Sequence, residues 1–339
     1  TRRKEETFSV KSVINYRILT TLIPHGLFYI IQPYMATHEN NWYTPELKKR
    51  LQASIHINLC KYPYRREMAA VKKLTHRDKV SALLELVDHH HPQTLSHIFE
   101  VAFIATSVAY DYFVSLGRKT GYSDERIISE FMPKVEEVFI GSLLHDIGKT
   151  AVPINILSST KRVLHKNDNK HLTDKEKLWE REKGILNLHS QFGSVILNKV
   201  GFGHLGYICD QHHIGNSNSA VFHPDDIHRR YPLTEFTALA DTVSGMRDKR
   251  RSYIRNEATI SRVIDVVYQK LNNEKLSPGV VEAFRRVIIE QNKFPPYYKP
   301  EDFLSNMLFR GFMEKYRLTD LLKRNLSKVS SILSANIVK

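Results

Sequence analysis

Cysteine is almost absent: Cys60 and Cys209 are the two in 339 residues. Two thiols cannot build a disulfide framework and neither lies in a C-x-x-C arrangement, so a reducing, cytoplasmic setting is expected. Long hydrophobic runs are missing as well. The most apolar early stretch, Ile18 to Ile31, is short, is broken by Pro24 and His25, and lacks a signal peptide's cleavage pattern. Extended runs alternating with period two are scarce, which argues against strands. There is no G-x-S-x-G elbow, no P-loop and no G-x-G-x-x-G, so nucleophilic serine or cysteine catalysis has no support. No internal repeat or low-complexity tail is present. Beginning at Thr1 instead of Met, the chain is expected to be a fragment or a processed product.

What is present is a foldable, basic and helical chain. Hydrophobic residues make up 42 % and aromatics 10 %, which excludes global disorder. The length suits one large domain or two to three smaller units. Thr44-Pro45-Glu46 and Ser277-Pro278 each read as an N-cap followed by proline at the first helical position. Thr173 and Glu176 have capping-box spacing, predicting a helix toward His189. Val101, Ile104, Val108 and Tyr112 recur at helical intervals. A final amphipathic stretch runs from about Leu304 to Leu333. The expectation is an all-α protein: an N-terminal helical region over 1–80, a central unit over 81–270, and a C-terminal helical extension over 271–339.

Seventeen histidines invite a metal reading. Adjacency alone says little, since chance supplies about one His-Asp and about one His-His pair in such a chain. Context says more. His145-Asp146 follows the apolar run Val138-Phe139-Ile140 and Leu143-Leu144, and precedes Ile147-Gly148-Lys149. An imidazole beside a carboxylate that can bridge two cations suits a metal site. Gly148 permits close backbone approach, and Lys149 is placed to neutralise an anion. His89-His90-His91 reads as a solvated helix start before Pro92. His165, His171, His223 and His228 read as ordinary surface residues, and the aromatics Trp42, Tyr43, Tyr62 and Tyr64 as core.

The thirteen residues from His145 to Leu157 resemble the signature of the HD-GYP subgroup of HD-superfamily metal-dependent phosphohydrolases. Further elements follow in the family's order: Thr94-Leu95-Ser96-His97, His189-Ser190-Gln191-Phe192-Gly193, His212-His213, and Ala240-Asp241 with Met246 and Arg250 downstream. The resemblance implies a helical HD-domain bundle with helical extensions on both sides. It implies His97, His145, Asp146, His189, His212, His213 and Asp241 as ligands of two divalent first-row ions, with iron or manganese favoured by the mixed nitrogen and oxygen set. It also implies Asp146 and Lys149 as catalytic groups, with Lys149 and Arg250 holding substrate phosphate. The reaction implied is hydrolysis of a nucleotide phosphodiester, a cyclic dinucleotide such as cyclic di-GMP first among them, through attack of a metal-bridging hydroxide on phosphorus.

The chain departs from that pattern in informative places. Ile214 to Phe222 replaces the segment that contains Gly-Tyr-Pro, with the spacing from His213 to Asp241 unchanged. Ser244 stands where the subgroup carries a second aspartate, Arg251 where it carries proline, and Gln93 where some relatives carry a third-metal glutamate. These departures motivate an alternative, a non-catalytic module that binds a nucleotide or a protein. The formal charge of +14 motivates another, a nuclease or other nucleic-acid enzyme. Position weighs against the latter. Residues 1–80 hold 15 basic and 6 acidic residues, 81–270 hold 23 of each, and 271–339 hold 12 and 7. The basic surplus therefore sits in the flanks, where an acidic protein or an anionic membrane face is the fitting partner. Residues 1–80 have room to sense a signal, to form a homodimer, or simply to extend the bundle.

Overall fold

The computed structural model describes residues 64–158, 186–213, 232–247, 260–272, 276–290 and 300–337. All regular structure among the described residues is helical, with no strand, as the sequence pattern predicts. The N-terminal half comprises α1 (Tyr64–Lys72), α2 (His76–His90), α3 (Pro92–Lys119) and α4 (Asp124–Leu144). A 3-10 turn (Ile147–Ala151) and a single helical turn (Ile154–Leu157) follow. Beyond them lie α5 (His189–Val200), α6 (Gly203–Gln211), α7 (Thr234–Arg247) and α8 (Ile260–Asn272). The last elements are α9 (Pro278–Phe284, continued as a π-helical turn over Arg285–Glu290), α10 (Pro300–Ser305), α11 (Met307–Lys315) and α12 (Thr319–Ile337).

Local chemistry sets the helix ends. Thr75 caps α2 by accepting from the Asp78 amide, and Ser123 caps α4 by accepting from the Arg126 amide. Ser277 and Pro278 take the N-cap and first-turn positions of α9, and Asn306 caps α11. Gly201 closes α5 in the left-handed region at φ +90°, which a side chain rarely adopts. The histidine run forms the expected helix start only at its last member, which is partly buried. His89 and His90 end α2, His90 Nε2 lies 2.8 Å from the Val152 carbonyl, and His91 caps α3 by accepting from the Thr94 amide. The broken link between α2 and α3 needs exactly one residue in extended conformation, and Pro92 enforces it by disfavouring helical backbone at His91.

α3 is the hub. Sixteen of its 28 residues are buried, so it is apolar nearly all round, and α2, α4, α7, α9 and α12 pack around it. It is also the one described helix long and apolar enough to cross a membrane, but 61 % of its most apolar window is already buried inside the protein. The core runs without interruption from Val80 to Leu322. Phe309 of α11 sits edge-on to Phe103 and Phe139, with ring centroids 5.3 and 5.5 Å apart. Arg286 reaches Asp111 on α3 through two nitrogens, at 2.9 and 2.6 Å. Asn325, fully buried on α12, donates to Asp88 and to the Pro92 carbonyl. The helices after 271 thus complete the same core that the central helices begin.

Candidate metal centre

The seven residues singled out by the sequence come from five helices and meet at one point beside α3. His97 lies inside α3, His145 closes α4 and Asp146 follows it, His189 opens α5, His212 closes α6 and His213 follows it, and Asp241 lies in α7. His97, His145, Asp146, His189 and His212 are all buried. Asp241 is 15 % and His213 33 % exposed at the side chain, and Lys149 is 18 % exposed, so these three face the mouth.

Helix ends explain how three of the imidazoles are aimed. The carbonyls of a last turn lack partners within the helix. His145 Nδ1–H donates to the Ser142 carbonyl at 2.6 Å, and His212 Nδ1–H to the Cys209 carbonyl at 2.6 Å. His189, at the start of α5, donates Nδ1–H to the Leu186 carbonyl, which lies ahead of that helix, at 2.5 Å. A carbonyl only accepts, so each Nδ1 carries the proton and each Nε2 turns its lone pair toward the centre.

Asp146 stands between two groups. Its Oδ2 lies 3.4 Å from His145 Nε2 and 3.9 Å from His97 Nε2. Its Oδ1 lies 3.2 Å from His189 Nε2 and 3.9 Å from His212 Nε2. Asp241 joins the first group through Oδ1, 2.9 Å from His97 Nε2, and faces His213 Nδ1 at 3.7 Å through Oδ2. In the second group His189 Nε2 is 3.3 Å from His212 Nε2 and 3.0 Å from His213 Nε2. The donor atoms of His97, His145 and Asp146, and those of His189, His212 and His213, each fall within 4.8 Å of one another.

These spacings fit metal ions. Imidazole nitrogens 3.0 to 3.3 Å apart need either a shared proton or a cation between them. Ligands about 2.1 Å from one first-row ion lie roughly 3.0 to 3.4 Å apart. His145 Nε2 and Asp146 Oδ1 are buried without a hydrogen bond of normal geometry, a costly state that a cation would relieve. Protonation agrees. Burial pushes the Asp146 carboxyl up, but Lys149 and His145 outweigh it and hold the group well below the usual carboxylate range. Burial likewise opposes ionisation of Asp241, and the His97 hydrogen bond overcomes it. Burial drives His212 well down, and with His189 beside it drives His213 to about 3. His145 moves the other way: burial would lower it, but Asp146 raises it. Ionised carboxylates and neutral imidazoles are the forms that bind metal.

Two glycines let the parts close up. A Cβ on Gly148 would lie 1.8 Å from the His189 carbonyl oxygen, so the turn bearing Lys149 touches the backbone that opens α5. A Cβ on Gly193 would lie 2.1 Å from Cys209 Sγ. The Cys209 thiol donates to the His145 carbonyl at 2.8 Å, and burial pushes its pKa far up, so it is a packing group. Lys149 Nζ donates to Asp146 Oδ2.

Arg250 and the substituted segment from Ile214 to Phe222 lie outside the described residues, as do the expected helix after Thr173, the cap at Thr44, His165, His171, His223, His228 and the aromatics Trp42, Tyr43 and Tyr62. Of Tyr64, which opens α1, the backbone alone is described. Sequence reasoning missed Glu100, whose carboxylate accepts from the Ser244 hydroxyl at 2.8 Å. Its position three residues beyond His97 on one helix was the available signal. It also missed Ser142 and Thr237, whose hydroxyls meet at 2.8 Å and join α4 to α7 behind the centre.

Comparison with curated proteins finds no match. Comparison with protein families does: the HD domain matches residues 94–268, a span that takes in every one of the seven converging side chains and just over half of the chain. The match covers more than half of the chain, and the chain belongs to the HD domain family.

Proposed function

We propose that this protein is a metal-dependent phosphodiesterase that hydrolyses a nucleotide phosphodiester, with a cyclic dinucleotide as the leading substrate and iron or manganese as the metal. HD domain membership supports the coarser part, a metal-dependent phosphohydrolase. The observation that carries the reading is Asp146, whose two carboxylate oxygens each face a separate set of imidazoles. That is the arrangement expected of a carboxylate shared by two ions. Bound in these two sets, the ions would supply Lewis acidity at the phosphoryl oxygens and lower the pKa of water.

The chain's own groups divide the remaining work. Asp146 and Asp241, kept ionised, and His212 and His213, kept neutral, would hold the charge of the ions in place. Lys149, tied to Asp146 in this structure, becomes available to an anionic phosphoryl oxygen once Asp146 serves the ions. Lys149, Asp241 and His213 are the solvent-facing members, so a substrate approaches from their side. Arg250 is proposed as a second phosphate contact, and the substituted loop from Ile214 to Phe222 as the part that sets which nucleotide is accepted. The basic flanks suit contact with an acidic protein or an anionic membrane face.

Metal analysis after anaerobic reconstitution tests the centre, with two first-row ions per chain expected; fewer than one counts against it. Asp146→Ala is expected to abolish hydrolysis of cyclic dinucleotides while leaving the far-ultraviolet circular dichroism unchanged. Turnover retained in that variant sinks the assignment. Nucleotide binding by the metal-loaded wild type without any product favours the non-catalytic module.

A further inference from the structure

Three of the buried imidazoles sit at helix ends and use free backbone carbonyls to fix their tautomer. His97 cannot, because it lies within α3, where the carbonyls one turn back are committed to the helix. Its Nδ1 meets a side chain instead. Ser244 Oγ lies 2.9 Å from His97 Nδ1, and the same hydroxyl donates to Glu100 Oε2 at 2.8 Å. The geometry follows from two helical spacings set face to face. His97 and Glu100 are three residues apart on α3, and Asp241 and Ser244 are three residues apart on α7. One pair of rungs brings His97 Nε2 to Asp241, and the other brings Ser244 to Glu100.

Proton counting fixes the direction. A serine hydroxyl has one proton, and a carboxylate can only accept it. With that proton given to Glu100, Ser244 Oγ must accept from His97, so His97 carries its proton on Nδ1. The ionised Asp241 also only accepts, so His97 Nε2, 2.9 Å from its Oδ1, donates as well in the metal-free chain, and an ion there would displace that proton; Asp146 Oδ2 lies 3.9 Å away. Position 244 is where the HD-GYP pattern has aspartate. In this chain a carboxylate on α3, Glu100, reaches the imidazole through the Ser244 hydroxyl.

We propose that Ser244 and Glu100 form a positioning pair that holds His97 with Nδ1 protonated, so that Nε2, turned toward Asp241, is the nitrogen offered to a metal. This rests on the metal reading above and deepens it: the Ser244 departure preserves the first ion's site. Groups of this kind typically govern metal affinity by 10- to 100-fold.

The test uses the full chain and two measurements. In the metal-free protein with nitrogen-15 histidine, the His97 ring, assigned by the signals missing from His97→Gln, is expected to show a protonated Nδ1. An unprotonated Nδ1 overturns the proposal whether or not metal binds. Manganese titration against a competing chelator is the second measurement. Ser244→Ala and Glu100→Gln are each expected to weaken one of two ions by about 10- to 100-fold and leave the other unchanged. The double variant Ser244→Asp with Glu100→Gln is expected to restore the affinity, which a merely space-filling role for Ser244 would not. Single variants that bind both ions within twofold of wild type, or a folded double variant with no recovery, overturn it. A wild-type chain that binds no manganese refutes the metal reading, while the nitrogen-15 result still decides the positioning pair.

Discussion

Gly148→Ala is the substitution whose outcome the geometry constrains most tightly. The added Cβ would sit 1.8 Å from the His189 carbonyl oxygen and 2.4 Å from the Gly193 amide nitrogen. Both are main-chain atoms, so no side chain can swing aside. The shortfall from an ordinary contact is roughly 1.5 Å, and the turn and the start of α5 must separate by about that much. Forced overpacking costs about 1 to 3 kcal/mol, and backbone neighbours put this case at the upper end. About 3 kcal/mol lowers the melting temperature by roughly 6 °C in a domain of this kind. Function suffers further, because the turn carries Lys149 and follows Asp146, while α5 opens with His189. Asp146 Oδ1 and His189 Nε2 are 3.2 Å apart, and metal–ligand distances tolerate only about 0.2 Å. Calorimetry of the metal-free chain and manganese titration read the two effects separately. Gly311→Ala is the control: it lies in α11, its Cβ would meet nothing within 4 Å, and it is expected to stabilise slightly. A Gly148→Ala chain with the melting temperature and both ions of wild type would refute the close approach on which the site's construction depends.

Two further outcomes follow from burial. In chelator, His212 and His213 stay neutral in the folded chain well below their ordinary pKa of 6.5, so unfolding takes up protons there and stability falls as pH drops below about 6.5. His145, whose pKa is raised, opposes this by contributing below its folded value, and the depressed carboxylates Asp146 and Asp241 lose their contribution only below about pH 4. A melting temperature that does not change from pH 7 to 5 in chelator contradicts this balance. Phe309→Ala, which empties a 1 %-exposed position among Phe103, Phe139 and Phe303, is expected to cost about 3 to 5 kcal/mol in urea unfolding. A cost under about 1 kcal/mol would mean that α11 does not share the central core.

The helices and the centre were legible in the sequence for different reasons. Caps and apolar spacing are local, so the starts of α9 at Ser277 and the body of α3 could be placed from neighbours alone. The seven converging residues were legible because they recur in a known order, not because spacing reveals contact; α3 and α7 meet across more than a hundred residues. What escaped notice is the supporting layer. Ser142, Leu186 and Cys209 contribute backbone carbonyls, which any residue type can do, so their identities carry no signal. Of the histidine run, only the helix start at His91 is legible from Pro92; that His89 and His90 end the preceding helix is not. His91 ends one helix and caps the next, and a ring nitrogen can accept an amide as readily as a hydroxyl can.

Charge acquires a different meaning once the centre is assembled. The stretch that supplies the ligands is balanced, with 23 basic and 23 acidic residues over 81–270, so it offers no general attraction for a nucleic-acid backbone. Within the centre itself two ionised carboxylates face the single lysine, and His212 and His213 are held neutral. Two divalent ions would add positive charge beside Lys149 and His213, which are partly exposed among the described residues. Anion recognition and the chemistry of phosphoryl attack would then depend on the same ions.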